Sequence, residues 1–162
     1  MLELLKERFP GYEIVELDKD FYEIVNPFGG ANIGVYEDKT YTIVVGEEWR
    51  KTPPSQIEFI IRFDRQHRHF GETENALAYI ECIINDEICA VEFSKGEFMR
   101  YSGEIASSKL KGSTPDMLLR EFRTFNNLLD ATFTIRSFSG KYDASGRIEK
   151  VCGKYRLIVE KT

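Results

Sequence analysis

Residues 55–70 read Ser-Gln-Ile-Glu-Phe-Ile-Ile-Arg-Phe-Asp-Arg-Gln-His-Arg-His-Phe, and two secondary structures compete for them. Ile57, Phe59, Ile61 and Phe63 alternate as in a strand. On a helical wheel, Ile57, Phe59, Ile60, Ile61, Phe63, His67 and Phe70 fall on one broad arc, with Glu58, Arg62, Arg65, Gln66 and His69 opposite. Three local signals favour the helix. Pro53-Pro54-Ser55 suits a helix start, Glu58 and Arg62 form an i,i+4 pair, and Gly71 suits the position just past a helix end. The segment is therefore expected to be a helix over about 55–70.

Upstream, residues 2–9 predict a short helix with Leu2, Leu5 and Phe9 on one face, ended by Pro10-Gly11. Strands are expected at 12–17, 21–26, 31–37 and 40–46, separated by turn residues as in an antiparallel meander. Downstream, residues 76–105 predict a three-stranded meander. A loop at Asn85-Asp86 would set Cys82 opposite Cys89, and a bulged turn at Ser94-Lys95-Gly96 would set Val91 opposite Met99 and Cys89 opposite Tyr101. A helix is expected at about 115–130, and strands at 132–138, 148–152 and 154–160, with 140–146 as a polar loop. The expected class is thus α+β, antiparallel meanders on about three helices (2–9, 55–70, 115–130). At 162 residues the chain is expected to form one domain, within which helix-plus-meander units 1–52, 53–112 and 113–162 can be drawn. Their residue-level similarity is too thin to make a repeat.

Both histidines lie in the island Arg62–His69, which is basic within a chain of net charge −5. The 24 residues that follow, 71–94, hold no Lys or Arg and six carboxylates. If the chain has a chemical site, this charge boundary is where sequence places it. His67 and His69, with Glu72 or Glu74, are the candidate catalytic groups, and Arg62, Arg65, Arg68 and Trp49 the candidate ligand-binding ones. Two imidazoles and a carboxylate could also hold a metal. His67-x-His69 followed by Glu74 resembles the first metal motif of the cupin family, which would make these three the ligands. The resemblance stops there. Ile61 and Glu81 stand where that motif has glycines, and no third histidine exists to complete the set. No metal or other cofactor is expected. At the end of a helix the same basic residues would simply complement the macrodipole.

The remaining features have bland readings. Three cysteines without CxxC spacing predict reduced thiols, and Cys82 with Cys89 reads as core packing. The glycine-bearing stretches 26–30 and 142–146 lack phosphate-loop spacing and read as turns. Trp49, the single tryptophan, suits either hinge packing or an exposed binding anchor. No nucleophile elbow, HExxH, Walker loop or dinucleotide fingerprint occurs. The acidic balance argues against sequence-independent nucleic-acid binding. The absence of a long apolar run predicts neither a leader nor a membrane span, so the expected compartment is the cytoplasm. The leading expectation is a small acidic non-catalytic domain that binds a protein partner or a second copy of itself, in an immunity-, antitoxin- or chaperone-like role. The rival is a small-ligand, anion or metal-dependent enzyme or binding site around His67 and His69.

Overall fold

The computed structural model describes residues 1–38, 42–45, 48–51, 58–96, 98–111, 131–152 and 154–160. Among these the chain is α+β and mostly antiparallel sheet, in two compact units, Met1–Glu81 and Cys82–Thr162. No helix among the described residues is long and apolar enough to cross a membrane.

The first unit opens with α1 (Leu2–Arg8). The strands β1 (Ile14–Asp18), β2 (Phe21–Ile24) and β3 (Ile33–Asp38) follow, then the separate hairpin β4 (Thr42–Val45) and β5 (Glu48–Lys51). β6 (Glu58–Phe63) and β7 (Gln66–Phe70) complete a five-stranded sheet in the order β1-β2-β3-β6-β7. Period-two parity sorts its side chains. Tyr22, Ile24, Ile33, Val35, Phe59, Ile61 and Phe63 are buried on one face; Leu5 of α1 and Phe9 just after it are buried too. The opposite face carries Phe21, Glu23, Gly34, Tyr36, Ile60, Arg62, His67 and His69.

Residues 58–70 are therefore a hairpin, not the expected helix; residues 55–57 lie outside the described residues. Phe63 pairs with Gln66 around the two-residue loop Asp64-Arg65, and Asp64 takes the left-handed conformation (φ 54°) that such loops demand. The alternation Phe59, Ile61, Phe63 was the governing signal. Ile60, apolar on the outer face, blurred it, and a loop without glycine concealed the turn.

The reverse error occurs at 73–84. Of this stretch, residues 76–84 were expected as the first strand of the 76–105 meander; the whole is α2 (Thr73–Ile84), with Ala76, Leu77, Ile80 and Ile83 buried at helical spacing. Its first-turn bond runs from the Ala76 N–H to the Glu72 carbonyl (3.2 Å). Asn85-Asp86 is accordingly no hairpin loop but the helix terminus. The Glu87 N–H reaches the Cys82 carbonyl (2.8 Å) and the Asp86 N–H the Ile83 carbonyl (3.0 Å), with Asp86 left-handed at φ 54°. This is the double bond of a Schellman terminus, with Asp where Gly usually stands. Cys82 is consequently helical and does not pair with Cys89.

The second unit holds β8 (Ile88–Lys95), β9 (Phe98–Ala106), the short α3 (Ser107–Leu110), β10 (Thr132–Arg136), β11 (Ala144–Val151) and β12 (Lys154–Glu160), in sheet order β12-β11-β10-β8-β9. The last three strands fall near their expected places, although β11 begins four residues early, inside the expected loop. The β8–β9 register differs from expectation. Val91 faces Gly103 and Cys89 faces Ile105, because Lys95 pairs with Phe98, so the turn falls later than expected, and a bulge beside Phe93/Ser94 shifts the pairing by one residue more. The core joins Cys89, Val91, Phe93, Ile105, Phe133, Ile135, Ile148 and Leu157. Gly146 lies between Phe133 and Val159 on the adjacent strands. A Cβ there would come within 2.0 Å of the Ile158 carbonyl oxygen and 2.8 Å of the Phe133 ring, so only glycine fits. The helix expected at 115–130 lies outside the described residues.

Candidate functional site

The hairpin that replaced the expected helix redistributes every candidate of the basic island. On a strand, residues two apart share a face, so His67 and His69 lie together on the outer face of the first sheet, their rings edge-on at 5.3 Å. Arg62 is His67's direct cross-strand partner and Ile60 that of His69. Arg65 sits in the adjoining turn. Arg62, Arg65 and His67 converge with Tyr36 and Ile60 around an open hollow of about 330 Å³. A long contact of 3.5 Å from Arg62 Nε to the Asp64 carbonyl engages one of the five guanidinium donors.

The wall of the hollow was not legible as a site in the sequence. Tyr36 stacks on Phe21, its direct neighbour on β2, with ring centroids 4.0 Å apart and planes within 7°. Gly34 makes room beside them, since a Cβ there would lie 3.3 Å from the Phe21 ring and 3.6 Å from both Tyr36 and Arg62. Once the register is known, parity alone predicts that Phe21, Gly34 and Tyr36 share the face of Arg62. Glu23, also on this face, accepts a hydrogen bond from Asn32 Nδ2 (2.9 Å).

The other candidates go elsewhere. Arg68 has the opposite parity, and its guanidinium lies over the rings of half-buried Phe70 and buried Tyr79 (5.7 and 5.4 Å to the centroids). Glu72 accepts a hydrogen bond from Asn75 Nδ2 (2.9 Å). Glu74 contributes to the field at Arg8, whose guanidinium is held above its ordinary pKa by the hydrogen bond and charge of Glu81 first and by Glu74 to a smaller degree. The Arg8–Glu81 contact is 2.7 Å. Trp49 pairs with Val44 through the backbone of the β4–β5 hairpin. Among the described residues, no three His, Cys, Asp or Glu side chains are grouped to hold a metal ion.

The second unit carries a different cluster. Asp86, buried at 7% exposure, accepts hydrogen bonds from the Ser139 N–H (2.9 Å) and from the Ser139 hydroxyl. Asp143 accepts from the Ser137 N–H (2.8 Å) and from Arg136 Nη1 (3.3 Å). These carboxylates fasten the 137–143 loop. Cys89 is wholly buried, and its thiol pKa is pushed up to about 12, chiefly by burial and further by Asp86 and Asp143. A thiol so held is a poor nucleophile.

No protein-family model matches the chain, and neither a curated protein nor a solved structure matches it.

Proposed function

We propose that the chain is a non-catalytic binding protein whose ligand is an anion, taken on the exposed sheet face of the first unit by Arg62, Arg65 and His67. The observation that carries this reading is the convergence of those three side chains on one hollow that Tyr36 and Ile60 also line. Guanidinium groups offer planar, paired donors suited to phosphate and carboxylate oxygens, and they remain charged at any working pH. A local field of this kind is compatible with a chain of net charge −5, because the patch and not the total sets the potential at the site. The non-catalytic half of the reading is supported by where the carboxylates go. Glu72 and Glu74, the expected acid–base partners of the histidines, engage Asn75 and the neighbourhood of Arg8.

Calorimetric titration with inorganic phosphate tests the proposal. The expected result is measurable binding that falls at least about tenfold in the Arg62→Ala/Arg65→Ala double variant, since each lost charged hydrogen bond is worth about 1.5–3 kcal/mol. Equal binding by wild type and double variant would overturn it. The leading sequence expectation, a protein partner, has no comparable convergence of side chains behind it among the described residues.

A further inference from the structure

Resting on that anion-binding reading, we infer that the ligand is a small aromatic phosphomonoester of the nucleoside monophosphate class. The charge set comes first. Two guanidiniums and an imidazole surround one hollow, whereas a single carboxylate is satisfied by one forked arginine. A phosphomonoester brings three terminal oxygens and close to two negative charges, which match the larger set of donors. The wall comes second. Tyr36 lines the hollow, and Phe21 covers one face of its ring in a parallel stack that holds the ring in place. A fixed aromatic wall beside a cationic rim suits a ligand with a flat ring next to its phosphate, since bases stack on aromatic side chains without sequence preference. Size comes third. A hollow of about 330 Å³ lies at the small end of small-molecule clefts. The cations are clustered at one hairpin, and the same sheet face carries Glu23 on β2, so among the described residues it offers no extended basic track for a polymer.

The test is calorimetry with adenosine 5′-monophosphate, ribose 5-phosphate, inorganic phosphate, a phosphotyrosine peptide and a single-stranded dodecanucleotide. Wild type, Tyr36→Leu, Arg62→Ala/Arg65→Ala and the control Arg147→Ala, a surface arginine of the second unit, are compared. The nucleotide is expected to bind roughly tenfold or more tightly than ribose 5-phosphate, the increment of one stacked base. Tyr36→Leu should erase the difference, bringing the nucleotide to the level of ribose 5-phosphate measured on the same variant, and its retained binding of the sugar phosphate shows the variant site to be folded. The double arginine variant should lose both ligands and the control neither. Equal affinity for nucleotide, ribose 5-phosphate and phosphate would overturn this inference and leave the anion reading standing. Tighter binding of the peptide or the oligonucleotide than of the nucleotide would overturn the class assignment. No binding of any phosphate compound would overturn both.

Discussion

Asp86→Ala, Asp86→Gly and Asp86→Asn together test the joint between the end of α2 and the 137–143 loop. Asp86 does two things at once. Its backbone takes the left-handed position of a helix terminus (φ 54°), and its carboxylate, 7% exposed, accepts from the Ser139 N–H and hydroxyl. Alanine removes charged hydrogen bonds worth about 1.5–3 kcal/mol and leaves the Ser139 N–H without this acceptor. It also places an unrelieved Cβ at positive φ, costing about 1 kcal/mol more. Relief of the buried carboxylate's desolvation offsets part of this, so a net loss of about 3 kcal/mol is expected. Glycine loses the same bonds without the backbone strain, giving about 2 kcal/mol. Asparagine keeps an acceptor for the N–H, can donate to the hydroxyl and tolerates the left-handed region, so its loss should stay under about 1 kcal/mol. Urea unfolding, with hydrogen exchange at β8 and β10 amides to isolate the second unit, gives the three values. Alanine and glycine equal to within about 0.3 kcal/mol would refute the backbone half of the reasoning. Losses below about 0.5 kcal/mol in all three would refute the carboxylate half.

Three other predictions concern the second unit. Gly146→Ala must displace both the Ile158 carbonyl and the Phe133 ring, 2.0 and 2.8 Å from the new Cβ, so a loss of about 3 kcal/mol or more is expected in the same unfolding assay. Cys89, with its thiol pushed from 9.0 to about 12, should resist alkylation at pH 8 in the folded protein while the exposed Cys152 reacts, as peptide mass spectrometry would show. The raised pKa also has a stability consequence. The native state keeps its proton while the unfolded thiol loses one, so this contribution is intact below about pH 9 and drains away as pH rises towards about 12. Cys89→Ala should lack that part of the alkaline decline, which paired urea titrations at pH 8 and 10.5 would reveal.

What the sequence disclosed and what it withheld divide along physical lines. The strands of the first meander and of the C-terminal third were legible because turn residues bracket β-branched and aromatic runs there. The two errors share a cause. Asp64 and Asp86 both adopt φ 54°, a conformation open to Asp at modest cost, yet one closes a hairpin and the other a helix. Local chemistry does not distinguish those uses; the neighbours that bury Phe59 and Ile61, or Ile80 and Ile83, do. The hairpin error propagated to the site. Arg62, Arg65 and His67 stand out in the sequence as members of the basic island at the charge boundary. Their meeting with Tyr36 depends on the non-local pairing of β3 with β6, which no window around residue 65 contains. The place of Arg68 depends likewise on the hairpin, since only strand parity sends it to the Phe70 and Tyr79 rings.

The most direct test of an anion site on the first sheet is a ¹H–¹⁵N correlation spectrum of the full chain titrated with inorganic phosphate at constant ionic strength. The account predicts saturable shifts concentrated at the backbone amides of 34–36 and 60–67, lost in the Arg62→Ala/Arg65→Ala variant. Saturable shifts centred on another region, or uniform drift that never saturates, would contradict it.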